Sequence, residues 1–331
     1  MPHPTFIAEP IDHPRGWRVR TAEGGTILFT DEHEVKAFAA RRTAVTWTRS
    51  TPATHTLCDD VARSAATDLL RFAQRANLFP DRNGNCSWRG TLPRTLVVTP
   101  RQVEKALCLP EHLIIAEHHP EERRLVYAGT RKPSIDASVQ ATLYERLPKI
   151  DGLLHVHAEA GLFLADATTT FPFPCGTQEE AEMVVDTIIA QARIGFTPFI
   201  VELIHHGYLI ALYHEHLAQL DHEWDAAIIA YTDHLAEIGH ADTVTRLTLQ
   251  PIIGQGHIVG VIATDRTERW SSVFLQPAYR SNGLGRRILP LLARRGVPIR
   301  AHALCAVTDF YCSHGWHIIS RDEHTVLLTP E

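Results

Sequence analysis

The sequence predicts an α/β protein built on an α/β/α layered domain, with a small β-hairpin and helix module before it and a separate α+β segment after it. Three observations predict this. Short apolar runs of strand length, "TLVVTP", "HLIIAE" and "RLVYAG", alternate with stretches of helical period. Turn residues punctuate them. The last ninety or so residues carry two strand-like runs and then a glycine-bearing turn that opens a helix.

The first segment, residues 1–52, contains "GWRVRTAEGGTILFT", two alternating runs about Gly24-Gly25 that predict a hairpin. "DEHEVKAFAARR" places acids first and arginines last, as a short helix prefers, and "TRSTPATHT" reads as a linker. The second segment, 53–240, opens with an amphipathic helix whose apolar stripe is Val61, Ala65, Leu69, Phe72 and Ala76. A helix over "IDASVQATLYERLPK" stops at Pro148. "GLLHVHA" is a strand, "GTQEEAEMVVDTIIAQARIG" a helix, and "PFIVELIHHGYLIALY" a strand, turn and strand. The third segment, 241–331, has "HIVGVIATD" and "SSVFLQPAYR" as adjacent strands, followed by the helix of "SNGLGRRILPLLARRG".

Composition narrows the function classes. The 331 residues are 44% hydrophobic and 21% charged, with a net charge of -6, so nothing draws the chain to nucleic acid or anionic membranes. Apolar runs fall well short of a membrane span, and the early prolines and acids do not suit a signal peptide. Six cysteines, at 58, 86, 108, 175, 305 and 312, form no Cys-x-x-Cys pair, so neither a zinc knuckle nor a disulfide framework is indicated. A reduced, cytoplasmic setting is the expectation.

The sharpest local feature is "LLHVHAE". Alternate side chains of a strand share a face, so His155 and His157 point the same way. A second pair, His205-His206, closes another apolar run before Gly207. Two strands delivering three imidazoles would leave an open coordination position, which suits a catalytic divalent metal. Among 21 histidines, satisfied or solvent-facing rings are the ordinary alternative.

Six motifs occur in order: "RNGNCSWR" (82–89), "LVVTP" (96–100), "KPSID" (132–136), "LLHVHA" (153–158), "PCGTQEEAE" (174–182) and "HHGYLIAL" (205–212). Together they make residues 55 to 240 resemble the class II aldolase/adducin-like family. The resemblance implies metal ligands at His155, His157 and His206, with His205 a bystander. It implies a catalytic acid/base at Asp136, which stands 19 residues before His155. Read alone, Asp136 would be the N-cap of the helix that follows. The resemblance also places Asn85 and Ser134 against the substrate, and implies a divalent ion, zinc first, with a homo-oligomer, a tetramer first. The implied partner is a small hydroxy-carbonyl, sugar-like molecule.

Departures from the family pattern matter too. Arg101-Gln102 follow "VVTP", Ile135 replaces the second serine, and Asp136 is one methylene shorter than glutamate. Donors suited to a phosphate dianion are partly lost, and Arg82 and Arg101 are the candidates to replace them.

In the third segment, Arg280, Ser281, Asn282, Gly283 and Gly285 match the R-x-x-G-x-G turn of the GNAT acyltransferases, and the later "CAVTDFYCSHGWHII" is similar to that family's last helix and strand. This implies that the helix start would receive the phosphates of acetyl-CoA. The leading expectation is therefore a metal-dependent aldolase-type lyase that works through a metal-stabilised enolate. The alternatives are an acyl-CoA-dependent N-acetyltransferase, alone or in a bifunctional enzyme, and a non-catalytic adducin-like scaffold.

Overall fold

The computed structural model describes residues 6–12, 15–21, 26–29, 34–35, 46–49 and 58–330, the last range apart from 81, 129, 158–160, 171, 174, 192–197, 205, 239, 266, 268–269, 297, 303–304 and 322–324. These residues form two compact units that interleave along the chain. The first comprises Met1–Arg71, Asp81–His157 and Ala165–His214; the second comprises Phe72–Pro80, Ala158–Leu164 and Glu215–Glu331. Among the described residues no helix is long and apolar enough to cross a membrane.

The first unit begins with three antiparallel strands, β1 (Phe6–Asp12), β2 (Arg15–Thr21) and β3 (Thr26–Phe29), with β2 central. The expected hairpin is the β2–β3 pair, in which Arg18 faces Leu28. Its Gly24-Gly25 turn, and most of the helix expected over "DEHEVKAFAARR", lie outside the described residues. β4 (Thr46–Arg49) takes in the first two residues of the stretch read as a linker, and pairs in parallel with β8 (Arg124–Ala128).

The main sheet continues through β5 (Asn85–Arg89), β6 (Thr95–Val98), β7 (Ile114–His119), β9 (Gly152–Val156), β11 (Ala167–Thr168), β12 (Phe199–Leu203) and β13 (Gly207–Leu212). β10 (Leu162–Leu164) belongs to the second unit. The nine strands run β11-β12-β13-β9-β5-β6-β7-β8-β4, parallel only in the two edge pairs. The layered α/β expectation thus meets a mixed, largely antiparallel sheet. β6, β9 and β13 are buried at every position, which explains why they read as continuous apolar runs rather than alternating ones.

Three helices accompany this sheet. In α1 (Asp60–Arg75) Leu69 and Phe72 of the expected stripe are buried, as is Ala76 just past the helix, but the rest of the buried face is Ala62, Ala66, Leu70 and Ala73 rather than Val61 and Ala65. Val61 is 72% exposed, because the face is set by the leucine pair one position round the helix. α2 (Ala137–Arg146) and α3 (Gln178–Ala190) bring Leu143, Tyr144, Val184 and Ile188 onto Leu96, Val98, Leu125 and Leu209 of the strands. Burying each such side chain contributes about 1.5–3 kcal/mol. Thr177 caps α3 by accepting the Glu180 backbone N–H.

Arg89 ties the end of α2 to β5. Its guanidinium donates to the carbonyls of Tyr144, of Leu147 (2.8 Å) and of Ile150 (Nε, 2.8 Å), satisfying oxygens that a helix terminus leaves bare.

The second unit contains α4 (His214–Glu237), whose first residue belongs to the first unit, and strands β14 (Leu247–Gly254), β15 (His257–Asp265), β16 (Trp270–Leu275), β17 (Ile299–His302), β18 (Trp316–Arg321) and β19 (Thr325–Pro330). With β10 they form a seven-stranded sheet in the order β10-β14-β15-β16-β17-β19-β18. β15 and β16 are adjacent and antiparallel as expected. α5 (Leu284–Arg295) buries Leu284, Ile288, Leu289 and Leu292 on one side while Arg286, Arg287 and Arg294 stay exposed. α6 (Cys305–Cys312) follows β17.

Replacing Arg89 with alanine strips three carbonyls of their donors at once. A loss of about 2–3 kcal/mol is expected, read as a lower urea midpoint with an unchanged slope.

Candidate metal centre

The site grows from the ladder between β9 and β13, where Val156 faces Tyr208 and His155 faces Leu209. Gly207 starts β13 at φ 136°, and a Cβ there would lie 2.3 Å from the Val156 carbonyl oxygen. Only glycine permits that approach, which sets His206 beside the end of β9. The three rings meet with centroids 5.1 Å (His155–His157), 4.7 Å (His155–His206) and 5.3 Å (His157–His206) apart. One ligand nitrogen from each lies within 4.8 Å of the other two. His205 lies outside the described residues.

His155 is 2% exposed. Its Nδ1 is 3.1 Å from the Tyr208 carbonyl, which can only accept, so Nδ1 carries the hydrogen. The lone pair of Nε2 is thereby left buried without a partner. Burial, against the pull of Asp136, holds this imidazole neutral, with its pKa lowered to about 4. A buried, neutral nitrogen facing two further imidazoles is the donor set a divalent ion requires, so the residues fit the metal their pattern implies.

Asp136 precedes α2 in the N-cap position but makes no side-chain cap. Its carboxylate serves the site instead. Oδ2 accepts from the Asn85 amide at 2.6 Å, and the Asn85 oxygen accepts in turn from the Gln140 amide. Oδ1 is buried and unpartnered. Asn85 is thus bonded at both ends within the protein.

A second approach brings up the "PCGTQEEAE" turn. Gly176, at φ 79°, packs so that a Cβ would fall 2.5 Å from the Ile135 carbonyl oxygen, and its own carbonyl accepts from the Ser138 hydroxyl at 3.0 Å. Its N–H donates to Glu180 Oε2 at 2.8 Å. This places Cys175 Sγ 3.1 Å from His206 Nε2, while Glu180 Oε1 stands 3.6 Å from His206 Nδ1. Burial would lower the His206 pKa, but bonding to Cys175 and Glu180 outweighs it and raises it to about 10. Burial pushes the Cys175 thiol up and Glu180 up to about 7. Metal and proton thus compete for His206.

Asp136, Gln140, His155, Glu180 and His206, with Val139, Val184, Leu203 and Leu209, line a void of about 10 Å³, room for about one water. Ser134 is buried and pinned by its backbone to Thr99 at 3.0 Å. Arg82 and Arg101 are exposed and do not line the void. Glu180, Gln140 and Cys175 received no role from the sequence, although two of them lie in the quoted "PCGTQEEAE".

Residues 65–219 match the family model described as the class II aldolase and adducin N-terminal domain. That stretch is a class II aldolase/adducin domain. Among solved structures, the chain is similar to an L-fuculose 1-phosphate aldolase, at 15% identity over 54% of this chain and 89% of that one, with a TM-score of 0.36. An aldolase II superfamily protein from Pseudomonas syringae shares 11% identity over 73% and 94% of the two chains, at 0.36. An l-fuculose-1-phosphate aldolase from Thermus thermophilus shares 17% over 53% and 97%, at 0.33. All three histidines of the site fall inside the aldolase/adducin domain.

The far larger cavity, about 860 Å³, lies wholly in the second unit. Arg280, Ser281, Gly283 and Gly285 are on its wall; Asn282 is exposed beside them and accepts from the Leu284 N–H at 3.4 Å.

Gly207→Ala should force β9 and β13 apart where Val156 and Gly207 touch. A loss of about 2–4 kcal/mol in urea unfolding is expected, well above the usual surface substitution.

Proposed function

We propose that this chain is a divalent-metal-dependent lyase of the aldolase type, acting on a small, sugar-like hydroxy-carbonyl compound. One observation carries the reading: His155, whose buried Nε2 has no partner, lines the same small void as Asp136 and His206. His155, His157 and His206 would hold the ion, with zinc the first choice for three imidazoles. When bound, it would supply Lewis-acid polarisation of a carbonyl and its neighbouring hydroxyl.

The protein's own groups divide the remaining work. Asp136 Oδ1 takes the hydroxyl proton as the C–C bond breaks, and returns a proton to the carbon left holding the electron pair. Asn85, itself held by the Gln140 amide, donates to Oδ2, so the carboxylate presents a fixed oxygen rather than rotating. Tyr208 keeps the proton of His155 on Nδ1.

Proton transfer next to a carbonyl can be read without the natural substrate. Dihydroxyacetone in heavy water, followed by NMR, is expected to exchange its carbon-bound hydrogens with the zinc-loaded parent. Asp136→Asn should slow the exchange by about 10²-fold or more while keeping the zinc. His155→Ala and His206→Ala should both lose the metal by elemental analysis. A parent without stoichiometric metal, matched in exchange by His155→Ala, sinks the reading.

A second reading rests on the 860 Å³ cavity, whose wall includes Arg280, Ser281, Gly283 and Gly285 at the start of α5. It takes acetyl-CoA there, with the phosphates over the helix amides. Gly283 has φ 82° and nothing within 4 Å of where a Cβ would stand, so Gly283→Val changes the turn without touching the core. Calorimetry with acetyl-CoA is expected to show binding by the parent and at least a tenfold loss in the variant; a parent that gives no heat at sub-millimolar ligand removes the acyltransferase reading.

A further inference from the structure

We infer that the Cys175 thiol is a ligand of the metal that His155, His157 and His206 hold, so that the site is built for a thiophilic ion rather than for magnesium or manganese. This rests on the metal reading above.

Both nitrogens of His206 already face side chains, Nε2 toward Cys175 Sγ at 3.1 Å and Nδ1 toward Glu180 at 3.6 Å. An ion that reaches Nε2 therefore meets the sulfur as well. With Zn–N of about 2.0–2.1 Å and Zn–S of about 2.3 Å, two donors on one tetrahedral ion stand roughly 3.5 Å apart, close to the spacing already present. The three imidazole donors form one group within 4.8 Å of one another, and the thiol stands outside it, beside His206.

The cysteine is placed by construction. The left-handed Gly176 next to it is pressed against Ile135, its carbonyl is held by Ser138, and its N–H is held by Glu180. These anchors come from both α2 and α3. Meanwhile the short carboxylate of Asp136 is drawn toward Asn85 by one of its oxygens. A shorter acid tied to an amide and a sulfur within ligand spacing of a histidine nitrogen fit together as an exchange of donors.

Coordination converts the thiol to a thiolate and releases one proton to solvent, with no change in oxidation state. Soft sulfur beside imidazole favours zinc or cobalt over magnesium and manganese.

The test is a Co²⁺ titration of the metal-free, full-length protein. The parent is expected to develop visible d–d bands and an intense near-ultraviolet sulfur-to-cobalt charge-transfer band, both saturating together. Cys175→Ser, with Cys175→Ala as a second variant against a folding failure, should lose the near-ultraviolet band and keep the visible ones, with about 10–100-fold weaker binding. Excess Mg²⁺ should not displace cobalt from the parent. Visible bands without the near-ultraviolet band in the parent leave the metal reading standing and overturn the thiol ligand. A near-ultraviolet band that survives in folded Cys175→Ser does the same. No cobalt bands at all in the parent overturn both.

Discussion

The three-histidine cluster hangs on a single backbone contact, that of Gly207 with the Val156 carbonyl. Strand pairing alone would bring β9 and β13 to the usual separation. The absence of a side chain at Gly207 lets the turn before β13 close over the end of β9, and that closure carries His206 onto His155. The same ladder delivers the Tyr208 carbonyl to His155 Nδ1, so one stretch of paired backbone fixes both where the ring is and which nitrogen is free. Around that fixed nitrogen the other groups are adjustable. Asp136 is held by an amide relay, and Cys175 by a turn pressed against Ile135.

That relay has a forced polarity. An ionised carboxylate can only accept, so Asn85 must show it the NH₂ end, and Gln140 must show its own NH₂ to the Asn85 oxygen. Gln140 Oε1 is then left buried without a partner, the far end of a chain of hydrogen bonds that starts at the acid. Such an unmatched atom costs stability; in the proposed reaction the same relay would orient the oxygen that takes the proton.

Much of this was legible in the sequence, and the reasons divide cleanly. The β6, β9 and β13 runs were visible because strands buried at every position are largely apolar, β7, β8 and β12 because each carries a shorter apolar run, and the His-x-His and His-Gly spacings survive as local patterns. Asp136 was singled out only through the family resemblance; read alone it looks like an N-cap. Cys175 and Glu180 were not, since an isolated thiol has no spacing signal and an acid in the first turn of α3 looks like ordinary helix-dipole compensation. Gln140 is one turn beyond Asp136 and resembles any polar helix residue. α4 was missed because "HEHLAQLDHEWDAAIIAYTDHLAE" mixes polar and apolar residues with little contrast between its faces. β14 carries Pro251, which argues against a strand; β10 pairs with it only over Ile252–Gly254, so the proline sits past the end of that partner.

The two compact units are each assembled from three stretches of chain, and this bears on inheritance and on handling alike. No single nick separates them. A fragment stopped after His214 would still carry Phe72–Pro80 and Ala158–Leu164, with Leu162–Leu164 deprived of the strand they zip onto. α1 starts in one unit and finishes in the other, so a cleavage that frays either end spoils a helix used by both. Recombination at one crossover point would therefore divide both units.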